Sequence, residues 1–174
     1  MDHAPFDADD RLCLGIRGPF AAGGNHCDAP YWQTPSELVE RMLDFAACGP
    51  GDRLIDLGCG DGRIVVAAAR RGAKALGVDF DPERIAEARA AADAAGAGDS
   101  ASFRREDLFL TDLSGATIVT LYLLPLPNRL LAHRLRTELP KGSRVVSHAW
   151  PIAGWDADRE ECVYGRFLYL WTVR

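Results

Sequence analysis

The chain has 174 residues, enough for one domain with a buried core and too few for two ordinary ones. With 48% apolar and 26% charged residues it has the composition of a folded globular domain, and no apolar run approaches the length of a membrane span. A net charge of −5 argues against a general affinity for nucleic acid, which needs a basic surface to displace counterions.

Residues 1–30 are rich in Gly, Asp and Pro and show no period, so they read as an arm or lid ahead of a single domain over 31–174. The five cysteines (Cys13, Cys27, Cys48, Cys59 and Cys162) are odd in number and follow no metal-binding spacing. They read as free thiols, and with no signal-peptide pattern at the start a cytoplasmic location is expected.

Thr34-Pro35-Ser36-Glu37 has the form of a capping box, with Thr34 as the cap and Pro35 in the first turn. Leu38, Met42 and Phe45 follow at helical spacing, which predicts an amphipathic helix over 35–47. A buried strand is expected over 53–57, a helix over 62–71 and a second strand over 74–79. Asp81-Pro82 caps a helix running to about Gly96. Strands follow at 101–105 and 116–123, and Pro125 and Pro127 then punctuate before a helix over 128–138 whose inner face is Leu131, Leu135 and Leu139. A fifth strand covers 143–148, and the tail over 160–173 forms two strand-like pieces that turn at Gly165. Strands alternating with helices and closed by a hairpin give an α/β domain with a mostly parallel sheet. Its ligand belongs beyond the strand C-termini, at the switch in strand order. The aromatic residues near Trp171 read as an exposed edge on that hairpin.

The strongest chemical signal is Asp56-Leu57-Gly58-Cys59-Gly60-Asp61-Gly62-Arg63, directly after a strand and directly before a helix. Alternate glycines let the backbone turn tightly and approach a ligand, and the following helix presents free N–H groups. The spacing G-x-G-x-G differs from the G-x-G-x-x-G of dinucleotide-binding loops, and the leading acid suits a cationic ligand better than a pyrophosphate. Asp79 ends the second strand, where a carboxylate can accept from both hydroxyls of a ribose, and Phe80 beside it can pack on an adenine face or in the core. Asp107 follows the third strand, placed to accept from an adenine amino group while the Leu108 N–H reaches a ring nitrogen.

In these residues the chain resembles the class I S-adenosylmethionine-dependent methyltransferases. The resemblance runs through most of 31–173 and implies a Rossmann-like, seven-stranded, mostly parallel sheet with a C-terminal antiparallel hairpin. It also implies S-adenosylmethionine as cofactor and S-adenosylhomocysteine as product. Tyr31, Thr34-Pro35, the stretch Asp56–Ala69, Asp107-Leu108-Phe109, Leu121–Pro125 and Ser143–His148 are similar to a narrower group. These are small bacterial relatives of the mitochondrial lysine methyltransferases that modify ATP synthase c-subunit and the adenine nucleotide translocase. Those relatives carry Tyr-Val-Pro-Thr-Pro where this chain has Tyr31-Trp32-Gln33-Thr34-Pro35, and they have a membrane-targeting segment for which no counterpart is expected here.

The cofactor-binding set is therefore Tyr31, Thr34, Asp56, Gly58, Cys59, Gly60, Gly62, Asp79, Phe80, Asp107, Leu108 and Tyr122, with Asp56 at the amino-acid end and Cys59 as a small apolar filler. Thr34 carries two readings, helix cap and contact to the methionine end. Tyr122 and His148 are the candidate catalytic residues, His148 as the one histidine near the strand ends that can serve as a base; packing is its competing role. Tyr31, Tyr122, His148, Trp150 and Trp155 can line an aromatic acceptor pocket suited to an amine. The chain lacks the Asn/Asp-Pro-Pro-Tyr/Phe sequence of amino-methylating DNA enzymes, which with the acidic charge argues against a nucleic acid partner. The expected acceptor is a protein lysine or a small-molecule amine, with no metal and no membrane. The competing reading is a non-catalytic module that binds cofactor on the same fold.

Overall fold

The computed structural model describes residues 33–174; the arm expected over 1–30 and Tyr31 lie outside them. Helix α1 (Ser36–Phe45) buries Leu38, Val39, Met42, Leu43 and Phe45, the stripe that the spacing predicts. The capping box does not form. Pro35 itself takes the cap position with ψ 145°, its carbonyl accepts from the N–H groups of Leu38 and Val39, and no side chain caps the helix. A residue before proline is held extended, so Thr34 stands one step too far out to reach the first turn.

Seven strands form one sheet: β1 (Arg53–Leu57), β2 (Lys74–Asp79), β3 (Ala101–Arg105), β4 (Ile118–Leu121), β5 (Arg144–His148), β6 (Arg159–Val163) and β7 (Arg166–Thr172). Their order is β3-β2-β1-β4-β5-β7-β6. The first five run parallel, and β7 is antiparallel to both β5 and β6. The strand order reverses between β1 and β4, which puts the ligand crevice of such a sheet at their C-terminal ends.

Helices α2 (Arg63–Arg70) and α3 (Pro82–Ala94) join α1 on one face, where Leu38, Met42, Ile64, Val65, Ile85 and Ala88 pack with Leu54, Ile118 and Val146. Helix α4 (Pro125–Thr137) covers the other, where Leu131, Leu135 and Leu139 pack with Ile55, Leu57, Val119 and Val145. With a core on each side, the central strands are buried almost throughout. No helix among the described residues is long and apolar enough to cross a membrane.

Two expectations need correction. Helix α4 begins at Pro125 rather than at 128, because prolines in a first turn give up N–H groups that have no helical partner anyway. Of the aromatics on the hairpin, Tyr164 and Phe167 are exposed as expected, but Trp171 is fully buried: β7 lies between β5 and β6, the residues from Leu168 onward pack alternately on two covered faces, and the indole Nε1–H donates to the Trp155 carbonyl at 2.9 Å. The hairpin turns as expected, through Tyr164 at φ 51° and Gly165 at φ 75°.

Close packing under the glycine loop makes β2 intolerant of a side chain at one point. A Cβ on Gly77 would meet Cys59 Sγ and a Phe103 ring carbon, each at 2.8 Å. Gly77→Ala is expected to lower the unfolding free energy by about 1–3 kcal/mol, read as a shift in urea midpoint at unchanged slope.

Candidate active site

The loop between β1 and α2 holds Gly58, Gly60 and Gly62 at φ 82°, 52° and 78°, a region side chains avoid. A Cβ on Gly58 would meet the Leu123 side chain at 2.9 Å, and one on Gly62 would meet Phe103 and Ala88 at 2.7–2.8 Å. The loop is tied down from β2: the Val78 carbonyl accepts from both Gly58 and Cys59 N–H at 2.9 Å. Arg63, the first residue of α2, ties the loop to the segment ahead of α1 by bonding the Asp61 carboxylate through Nε at 2.9 Å and the Thr34 carbonyl through Nη1 at 2.7 Å. Gln33 reaches Asp61 at 3.3 Å. Thr34 is buried, and its backbone joins the start of α1 to the loop.

Asp56 is 2% exposed, and Thr120 Oγ1 donates to its Oδ1 at 2.7 Å. Burial, aided by the charges of Asp79 and Asp61 and opposed by the Thr120 bond, pushes its carboxyl up to about 7. The site thus contains a carboxylate that water no longer solvates and that a nearby positive charge would stabilise. Beside it, the Cys59 thiol is buried against Gly77 and driven well above its ordinary range by burial and then by Asp56 and Asp79, so it is no nucleophile.

Asp79 bridges two segments: Oδ2 accepts from Gly60 N–H at 2.9 Å and Oδ1 from Asp81 N–H at 3.0 Å. Asp81 in turn caps α3 by accepting from Glu83 N–H at 2.8 Å, the division of labour the sequence suggests. Each carboxylate oxygen has further lone-pair capacity for a ligand hydroxyl. Phe80 is exposed, with the Arg105 guanidinium 5.7 Å from its ring centroid, so it is not core. Asp107 forms a tight turn, its Oδ1 accepting from Phe109 N–H at 2.9 Å. The Leu108 loop is anchored from α4 by Arg134, which donates to the carbonyls of Phe109 at 2.6 Å and Thr111 at 2.7 Å.

Tyr122 and His148 follow the same logic one strand further along. The pairing of Leu121 with Ser147 puts them side by side at the C-terminal edge of the sheet, on the face that carries Asp56 and Thr120. Their ring centroids are 3.9 Å apart at 32°. His148 is completely buried and neither ring nitrogen has a hydrogen-bond partner. Burial, with a smaller push from Arg166, lowers it to about 4, so the ring is neutral at physiological pH. Trp150 is half-exposed nearby, whereas Trp155 packs against Trp171 and belongs to the core.

Three anchoring residues escape the sequence reading. Arg63 was legible as the basic residue two places past Asp61. Asn128 shares the inner stripe of Leu131 and Leu135 at helical spacing, but the helix was expected to begin there. Arg134 acts over 23–25 residues through backbone carbonyls and leaves no sequence signal.

Comparison with known proteins agrees with this geometry. Residues 56–159 match the ANTKMT methyltransferase domain family. A protein-lysine N-methyltransferase of Saccharolobus islandicus (strain REY15A) is 44% identical over 129 residues, covering 73% of this chain and 80% of that enzyme. The adenine nucleotide translocase lysine N-methyltransferase of Mus musculus is 38% identical over 72% of this chain, which spans only 55% of the mouse enzyme's length. The crystal structure of an RNA methyltransferase from Salinibacter ruber in complex with S-adenosyl-L-homocysteine superposes with a TM-score of 0.80 at 45% identity, covering 82% of this chain and 94% of that one. The loop, the acids at the strand ends and these likenesses lead to one conclusion: the chain belongs to the ANTKMT methyltransferase domain family and is an S-adenosylmethionine-dependent methyltransferase.

Proposed function

We propose that the chain methylates the side-chain amine of a protein lysine. The observation that carries this reading is the neutral His148 imidazole at the end of β5, without a partner among the described residues and packed against Tyr122 just past β4. Its two ring nitrogens are buried polar atoms without a partner, which a neutral amine reaching them would satisfy, and the lysine methyltransferases among the relatives favour a protein acceptor. The free thiols of Cys48, Cys59 and Cys162 fit a reducing cytoplasm.

The residues present fit the cofactor. Asp56 is a buried carboxylate short of a counter-charge, suited to the ammonium of the amino-acid end, with Gly58 and Gly60 leaving room for the backbone to approach. Thr34 would flank that end; Tyr31, the other residue proposed for it, lies outside the described residues. Gly62 opens α2 toward it, and Cys59 fills space beneath. Asp79 receives the ribose hydroxyls. Phe80 would cover the adenine, Asp107 would accept from its amino group, and the Leu108 N–H would meet a ring nitrogen. When bound, S-adenosylmethionine supplies a methyl group on a positively charged sulfur, already activated for displacement by an amine lone pair. The chain aligns the two partners and keeps water out, and alignment alone is worth several kcal/mol. Tyr122 and His148 hold the incoming nitrogen. The low value of His148 makes it a hydrogen-bond partner for a neutral amine, not the base that removes the lysine's proton.

A second reading, an RNA acceptor, is favoured by the description of the Salinibacter ruber structure and opposed by the net charge of −5. Incubation with methyl-labelled S-adenosylmethionine and a lysate of the cells that make the protein, separated into protein, RNA and small-molecule fractions, decides between them. Label in a discrete protein, mapped to lysine and absent with Asp79→Ala, is expected. Label confined to RNA or to small amines overturns the lysine reading.

The cofactor assignments are tested by S-adenosylhomocysteine calorimetry. Asp79→Ala is expected to weaken binding by about 1–3 kcal/mol through lost charged hydrogen bonds, and unchanged affinity rejects the ribose role. Asp56 binds its proton more tightly in the folded protein than in the unfolded chain, so its ionisation on raising the pH through about 7 destabilises the ligand-free protein. A cationic ligand favours the ionised form. Affinity is therefore expected to rise from pH 6 toward 8 with proton release on binding, and Asp56→Asn to flatten that dependence.

A further inference from the structure

Beyond β5 the backbone adopts a conformation that its residue type does not favour. Ala149 has φ 69°, and the Trp150 N–H donates back to the His148 carbonyl at 2.9 Å, closing a three-residue turn of the strained, positive-φ hand. Glycine would take this conformation without penalty; alanine does so only where the surroundings hold it. The holding groups are specific. The Trp150 carbonyl accepts from Ser147 Oγ at 2.6 Å and from Asn128 Nδ2 at 3.2 Å, and Asn128 Nδ2 also lies 3.3 Å from Ser147 Oγ. Asn128 is completely buried, an expensive place for an amide, and its Oδ1 has no partner. Its work is therefore done by the Nδ2 side.

Side chains alternate along β5: Val145 lies in the α4 core and Val146 in the opposite one, so Ser147 and Asn128 act from the α4 face while His148 lies on the face of Tyr122. The segments after β4 and β5 are thus clamped twice, by the Tyr122–His148 stack on one face and by Asn128 reaching the Trp150 carbonyl on the other.

We propose that Asn128, assisted by Ser147, is a positioning residue for methyl transfer: it holds the strained turn at Ala149 closed and thereby keeps the His148 ring dry and seated on Tyr122. The inference rests on the reading that the acceptor is received at His148. Asn128 touches neither cofactor nor acceptor; it acts through the turn. Besides burial, what bears on the protonation of His148 is Arg166, at the start of β7, whose charge opposes the imidazolium.

The test uses the full chain and three readouts: the His148 imidazole titration by NMR, S-adenosylhomocysteine affinity by calorimetry, and the initial rate of methyl-label transfer into a desalted protein extract of the source cells. In Asn128→Ala the turn loosens and water reaches the ring. His148 is expected to titrate above about pH 5.5, toward the ordinary histidine range, and transfer to fall about tenfold, with cofactor affinity held within about twofold. Adding Ala149→Gly removes the strain that Asn128 resists, so the double variant is expected to recover transfer and the low titration relative to Asn128→Ala. A titration unmoved in Asn128→Ala overturns the proposal. So does a parallel loss of cofactor affinity, or additive losses in the double variant, because each is the behaviour of an ordinary core amide. His148→Ala separates the two readings: full transfer in that variant rejects the acceptor role of His148, while the imidazole titration still decides whether Asn128 holds the turn.

Discussion

The Val78 carbonyl, accepting at once from the N–H groups of Gly58 and Cys59, is the bond pair on which the site is built. It forces the chain leaving β1 to fold back across the end of β2 before entering α2. That path is open only because Gly58, Gly60 and Gly62 adopt positive φ and because Gly77 leaves room for Cys59. Once the loop lies there, Gly60 N–H meets the Asp79 carboxylate and Asp61 meets Arg63, which carries the start of α1 with it. One short backbone turn thus fixes the relative positions of β1, β2, α1 and α2 where the ligand must sit.

The acids of the site divide between two physical regimes. Asp79 and Asp107 spend oxygens on backbone N–H groups, so each is oriented before any ligand arrives. Preorganisation of this kind lowers the cost of ordering on binding. Asp56 is different: it is buried with a single hydroxyl donor and with two other carboxylates acting on it, so the ligand-free fold carries an electrostatic penalty there. A cationic ligand relieves that penalty. The same feature therefore lowers stability without ligand and raises selectivity for positive charge, a trade expected at functional sites.

Most of the sheet was legible because its inner strands β1, β4 and β5 are short, largely apolar runs, and because Asp81-Pro82 and the glycine loop mark helix starts unambiguously. The site acids were legible for the same reason: they stand directly at strand ends, where sequence order and spatial order coincide. Errors arose where a local signal was overridden by its neighbour. Thr34 has the chemistry of a cap, but Pro35 displaces it; Pro125 and Pro127 look like breakers, yet serve as a first turn. Trp171 has the composition of an exposed aromatic edge, but the strand order puts β7 inside the sheet, a fact that no periodicity encodes. Arg134 and Asn128 escaped because they act on backbone carbonyls far along the chain, and a carbonyl has no sequence identity.

Lysine methylation, the activity proposed for this chain, has a proton problem that this architecture would meet by exclusion. A free lysine, with a reference pKa of about 10.4, carries no lone pair at neutral pH. An imidazole held at about 4 would take its proton only against a difference of about six units, too steep for general-base work. The same burial that disables His148 as a base acts on the amine, because a desolvated ammonium loses its proton more readily. The positive sulfonium of a bound cofactor adds to this by opposing a second cation close by. On the proposed lysine reading, deprotonation to bulk water on entry, followed by capture of the neutral amine beside the Tyr122–His148 pair, would need no acid–base residue at all. What that route would need is a pocket that stays dry and a ring that stays neutral, the task proposed above for the strained turn after β5.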